Sequence, residues 1–122
     1  METKYQKGMH GQAIAADFLQ DKGYKILRQN YRIRTGEIDI IAREPINGYI
    51  VFIEVKFRRS ISHGLPRESV TSTKQRQIIR TALHYVTINQ LDNHDFRFDV
   101  VEVLDLGGEV TIEHIENAFD AQ

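Results

Sequence analysis

Two groups of charged residues interrupt segments that are otherwise strongly apolar. Gly36-Glu37-Ile38-Asp39 leads into Ile40-Ile41-Ala42, and Glu54-Val55-Lys56 follows directly on Ile50-Val51-Phe52-Ile53. Runs so rich in β-branched and aromatic residues read as strands buried on both faces, where an unpaired carboxylate is costly. Between them, Glu44-Pro45-Ile46-Asn47-Gly48 carries the Pro and Asn-Gly of a hairpin turn. A loop over residues 45–48 sets Glu44 opposite Tyr49, Asp39 opposite Glu54 and Glu37 opposite Lys56, with all four charges of the last two pairs on one face. Directly opposed residues have Cβ atoms roughly 5 Å apart, so Asp39 and Glu54 can share one cation. All-oxygen ligation suits Mg²⁺ or Mn²⁺ rather than zinc. The competing reading is a half-buried ion cluster in which Lys56 neutralises one acid. The choice turns on register, because a slip of one residue sends the charges to opposite faces.

The pattern of Asp, hairpin and Glu-x-Lys resembles the PD-(D/E)xK nuclease superfamily. Gly8-x-x-Gly11, Gly36-Glu37-Ile38-Asp39-Ile40-Ile41-Ala42, Val51-Phe52-Ile53-Glu54-Val55-Lys56-x-Arg58, Lys74 and Arg97-Phe98-Asp99-Val100-Val101 together resemble the YraN-like family. That family consists of predicted endonucleases similar to archaeal Holliday junction resolvases, and the resemblance runs from about Gly8 to about Val103. It implies a restriction-endonuclease-like α/β core and metal-dependent hydrolysis of DNA, with branched or otherwise structured DNA as substrate. Asp39 and Glu54 would hold Mg²⁺ or Mn²⁺, helped by the Val55 carbonyl. Lys56 would position the attacking water and stabilise the pentacovalent transition state, with Glu37 as a supporting or second-metal carboxylate. Related resolvases act as dimers on symmetric junctions, which makes a homodimer a candidate assembly. The chain departs from the family at Gln12, where Glu is usual; the substitution removes a charge, keeps an oxygen donor and puts the contribution of the first helix in doubt.

Arg58, Arg59, Arg67, Lys74, Arg76 and Arg80 follow Lys56, where a phosphate backbone approaching the carboxylates needs cations. Arg58, Arg59, Lys74 and Arg76 are the nucleic-acid-binding candidates. Gln75 and Tyr85 share that segment, but Tyr85 fits its apolar stripe and belongs to the core. Asp99, in a strand-like run, reads as an internal cap or ion pair. His10, His63, His84, His94 and His114 show no metal-ligand spacing and read as surface or turn residues. No serine-hydrolase elbow and no phosphate-binding glycine loop occurs.

The elements that must position these residues follow from periodicity. A helix is expected over Met9–Lys22 and strands near Tyr24–Asn30, Glu37–Arg43 and Tyr49–Phe57. A loop over Arg58–Val70, containing Gly64 and Pro66, leads to a helix from Ser72 or Thr73 to Ile88. Strands near Phe96–Leu104 and Glu109–Glu113 close the order αβββαββ, an α/β fold with a mixed sheet flanked by helices. At 122 residues and 41% hydrophobic content the chain suits one domain over residues 1–122. It lacks cysteine, which excludes disulfides and thiolate metal sites, and it shows neither a signal peptide nor an 18-residue apolar run, so a cytoplasmic, membrane-free protein is expected.

The formal net charge of -1 hides a segregation. Residues 1–90 hold 15 Lys and Arg against 8 Asp and Glu, while residues 91–122 hold 1 against 9. A basic region can then meet phosphate while an acidic end turns away. Two rivals to a nuclease remain at this level. One is a nuclease fold that grips nucleic acid without cutting it; the other is a protein-binding module using the acidic C-terminal segment.

Overall fold

The computed structural model describes residues 2–60 and 70–121. Seven elements follow the expected order: α1 (Lys4–Asp21), β1 (Lys25–Ile33), β2 (Gly36–Arg43), β3 (Ile50–Arg58), α2 (Ser72–Ile88), β4 (Phe96–Leu106) and β5 (Glu109–Phe119). The strands form one sheet in the order β1-β2-β3-β4-β5. All neighbours are antiparallel except β3 and β4, which are parallel because α2 carries the chain back between them.

The two helices cover opposite faces of this sheet. Ala15, Ala16 and Leu19 of α1 pack on Ile40, Ala42, Val51, Ile53, Val101 and Val103. Ile78, Ala82, Tyr85 and Val86 of α2 pack on Ile38, Ile41, Ile50, Phe52, Phe98 and Val100. The central strands are buried on both sides, so they read as continuous apolar runs and not as alternating ones. Tyr85 is core, as its place in the stripe implied.

Three boundaries differ from expectation by more than two residues. Helix α1 starts at Lys4 because Thr3 and Gln6 form a capping box: the Thr3 Oγ1 accepts from Gln6 N at 3.1 Å and the Gln6 Oε1 accepts from Thr3 N at 2.8 Å. Strand β1 continues through Asn30, which tolerates a φ of 53°. Strand β5 runs on to Phe119 past a register shift opposite Phe98 and Val100. The expected loop begins later than Arg58, which ends β3, and residues 61–69, including His63, Gly64, Pro66 and Arg67, lie outside the described residues. Among the described residues no helix is long and apolar enough to cross a membrane.

Candidate functional site

The hairpin has the register that the turn chemistry implied. Glu44 N donates to Tyr49 O at 2.9 Å, and the pairs Arg43↔Ile50, Ala42↔Val51, Ile41↔Phe52 and Ile40↔Ile53 follow in step. Two backbone N–H groups of the turn, from Ile46 and Asn47, bond the Glu44 carboxylate at 3.1 and 2.6 Å. Continuing the same step brings Asp39 level with Glu54, but the main-chain ladder stops at Ile40 and Ile53. Beyond that point Asp39 Oδ2 accepts the Val55 N–H at 2.8 Å, so a side-chain carboxylate fills the place of a strand carbonyl. The facing pattern also breaks here, since Ile38 joins the core under α2 and Ile40 the core under α1. Asp39 sits where β2 leaves β3, while β3 stays paired to β4 as far as Arg58↔Leu104.

Glu54 is buried, and its Oε1 lies 3.8 Å from Lys56 Nζ and 3.6 Å from Lys74 Nζ. Burial, and after it the nearby charge of Asp39, push its carboxyl up to about 7 against the pull of the two lysines. Asp39 is raised as well: burial is the main cause, the Val55 N–H opposes it, Glu37 adds repulsion, and Lys74 and Lys56 lower it. Two carboxylates are thus held close, short of water and incompletely compensated. Glu37 is turned aside into an ion pair with Arg32. It still borders, with Gln12, the cavity of about 350 Å³ into which Asp39 opens. Gln12 is buried at 5% exposure and donates from Nε2 to Gln29 Oε1 at 2.9 Å.

The basic candidates separate into different settings. Lys74, at the start of α2, reaches the carboxylates. Arg58 is ion-paired with Glu102 at 2.9 Å. Arg59 pairs with Glu2 at 2.6 Å and lies over the Phe57 ring, and Arg76 bonds Thr73 Oγ1 at 3.3 Å. Gln75 does not turn to the carboxylates; its amide donates to Val70 O at 3.0 Å. Among the described residues no group of three or more His, Asp or Glu is placed to hold a metal ion. The carboxylates of Asp39 and Glu54 are hard oxygen donors, the ligand type that Mg²⁺ and Mn²⁺ favour.

A second buried acid lies on β4. Asp99 accepts from Arg97 Nε and Nη2 at 2.9 Å each, from His114 Nε2 at 2.7 Å and from Asn117 N at 2.9 Å. Arg97 also donates to the Tyr24 hydroxyl at 2.6 Å. Lys22 Nζ reaches His114 Nδ1 at 2.8 Å, and an ammonium can only donate, so the ring carries its proton on Nε2. Burial alone would raise Asp99, but the His114, Arg97 and Asn117 bonds outweigh it and hold the carboxyl below the usual range. Asp99 is therefore the internal ion pair that its strand context suggested. The expectation of a surface or turn histidine fails for His114, whose side chain is 4% exposed, because the Asp99 acceptor and the Lys22 donor satisfy both ring nitrogens.

Residues 11–103 match the model of an uncharacterised protein family, UPF0102. A UPF0102 protein of Trichlorobacter lovleyi is 50% identical over 111 residues, covering 90% of this chain and 87% of its own. One from Lachnoclostridium phytofermentans is 47% identical over 120 residues, covering 98% and 97%. A solved structure of an EndoMS-dsDNA2 complex aligns at a TM-score of 0.36 and 23% identity, over 72% of this chain and 34% of that one.

Proposed function

The chain belongs to the uncharacterised protein family UPF0102, the YraN-like family of its motifs, and from that premise we propose that it is a metal-dependent nuclease that hydrolyses DNA phosphodiester bonds, on branched or otherwise structured DNA. The observation that carries this reading is the pair Asp39 and Glu54. Both are raised above ordinary carboxylates by burial and sit beside the ammonium groups of Lys56 and Lys74. The two lysines compensate the pair incompletely, and a further cation between the carboxylates would relieve what remains.

Asp39, Glu54 and the Val55 carbonyl would hold Mg²⁺ or Mn²⁺. The ion supplies Lewis acidity at the phosphate and acidifies water. Asp39 is kept in place by the Val55 N–H, and so is oriented before any ligand arrives. Lys56 donates hydrogen bonds to the attacking water and to the phosphate oxygens on which charge develops. An ammonium is a poor base, so Lys56 orients the water, whose proton passes to a neighbouring phosphate oxygen while the leaving oxygen takes one from solvent. Lys74 adds a second cation on the same side. Glu37, paired with Arg32, is the supporting carboxylate, and its charge adds to the repulsion that a cation at Asp39 would relieve. A homodimer suits a symmetric branched substrate.

The test is incubation of purified protein with linear, single-stranded, flap and four-way DNA in Mg²⁺ and in Mn²⁺. Cleavage that is lost in Asp39→Asn and in Lys56→Met supports the reading; a wild-type protein that cuts none of these substrates overturns it. The second reading, a module that binds nucleic acid without cutting it, is favoured by Gln12 in place of the family's usual Glu. It predicts salt-dependent binding with no product on any substrate.

A further inference from the structure

The start of α1 presents a surface that the described residues leave uncovered. Tyr5 is 76% exposed and Met9 38% exposed. They lie one helical turn apart on the wall of the cavity that holds Asp39, with Gly8 beside them. The two glycines of Gly8-x-x-Gly11 differ in kind. A Cβ on Gly11 would stand 2.7 Å from Phe57 Cβ, so α1 approaches β3 too closely for any side chain. A Cβ on Gly8 would meet nothing within 4 Å. Glycine is the poorest helix former after proline, and Gly8 lies inside α1 with no contact that calls for bare backbone. An exposed aromatic, an exposed thioether and a stripped helix turn around one cavity describe a surface that the described residues leave open to a ligand.

The chemistry of the walls identifies the occupant. Tyr5 and Met9 offer a flat apolar contact suited to an aromatic ring; Lys4 and Arg32 bring cations to the same cavity, Arg32 being paired with Glu37, which lines it together with Asp39. Asn30, held at a φ of 53°, adds a side-chain amide. A ring joined to an anion is a nucleotide. In a duplex both faces of each base are covered by stacking, so a base that stacks on Tyr5 is unpaired. The volume of about 350 Å³ lies within the range of small-ligand sites.

We propose that this cavity is a subsite for one unpaired nucleotide, its base stacked on Tyr5 and Met9, its sugar against the bare turn at Gly8, and its phosphate facing Lys4 and Arg32. The assignment rests on the proposed function only in taking nucleic acid as the ligand, and it narrows the substrate to a strand with unpaired nucleotides next to the bond at Asp39.

Fluorescence anisotropy with a short labelled single strand and its matching duplex, in chelator at fixed salt, tests the subsite without cleavage. The wild type binds the single strand more tightly. Tyr5→Ala lowers that affinity about tenfold, in line with the loss of one stacked base, and Tyr5→Phe retains it. Gly8→Ala lowers it as well, while its melting temperature stays level or rises because alanine favours the helix. A purely structural glycine would give a lower melting temperature or unchanged binding. Single-strand affinities equal to wild type in Tyr5→Ala and Gly8→Ala, or equal losses for strand and duplex, overturn the proposal. A wild type that cuts nothing, yet loses single-strand binding in Tyr5→Ala, ends the nuclease reading and upholds the subsite.

Discussion

Asp99 and the pair Asp39–Glu54 are acids placed on the same sheet, and their surroundings drive them in opposite directions. Asp99 has four hydrogen bonds from three residues and a guanidinium pressed against it, and it is held ionised. Asp39 has one backbone donor, Glu54 has two lysines at 3.6 and 3.8 Å, and both are pushed toward the protonated form. Burial is the first cause in each case; what differs is whether the chain supplies enough donors to outweigh it. A buried acid whose needs are met serves the fold. One whose needs are left open is where a ligand gains free energy by arriving.

The largest effect expected from this contrast is on stability. Asp99→Ala strands the Arg97 guanidinium among buried neighbours and should cost about 3–5 kcal/mol, read as a lower urea midpoint. Asp39→Asn, measured in chelator, should leave stability level or raise it, because repulsion with Glu54 disappears. If Asp99→Ala is tolerated and Asp39→Asn is not, the contrast is wrong.

Acidity gives the next largest effect. The folded value of Glu54 is about 7 against an ordinary 4.5. Between those limits the folded protein keeps a proton that the unfolded chain releases. In chelator, stability should therefore fall as pH rises from 4.5 to about 7, by roughly 3 kcal/mol in all, and level off above. Asp99 has the reverse sign: its contribution is present above the ordinary carboxylate range and is lost on acidification through its lowered folded value. Denaturant titrations across pH should show the Glu54 slope vanish in Glu54→Gln, and saturating Mn²⁺ should suppress it in the wild type. A slope that survives in Glu54→Gln belongs to another group.

Smaller changes sharpen the same comparison. Gln12→Glu brings a third carboxylate to the cavity of Asp39 and should lower stability in chelator by on the order of 1 kcal/mol, enlarge the stabilisation gained from Mn²⁺, and raise any nuclease rate. Melting points that do not move in either condition would show that α1 does not act on the proposed metal site. Lys74→Gln should have the least effect on stability, below about 1 kcal/mol, because the side chain is 39% exposed. It should also move the Glu54 titration to higher pH; a midpoint that stays in place would mean that Lys74 does not act on Glu54.

Much of this arrangement was legible in the sequence because it is local. Pro45 and Asn47-Gly48 set the turn, the turn set the register, and the register brought Asp39 level with Glu54. The capping box Thr3-x-x-Gln6 is equally local, and it starts α1 at Lys4, ahead of the Met9 that apolar spacing suggests, which brings Tyr5 into the helix. Lys74 was expected to meet phosphate, and nothing local could show that it lies 3.6 Å from Glu54, twenty residues earlier in the chain. The Asp99 network was out of reach for the same reason, since Tyr24, Arg97 and His114 meet only once β1, β4 and β5 are in place. The parallel pairing of β3 with β4 depends on where α2 packs, a tertiary matter that strand patterns do not encode.

The bond from the Val55 N–H to Asp39 Oδ2 turns one peptide group into a probe of the site. From Ile50 to Ile53 the β3 amides are shielded by neighbouring backbone, and their exchange with deuterated solvent tracks opening of the sheet. The Val55 amide is shielded by a side chain instead. Its isotope uptake should accelerate in Asp39→Ala while that of Ile53 hardly changes. The state of the carboxylate can therefore be followed at a single peptide group, with no ligand present.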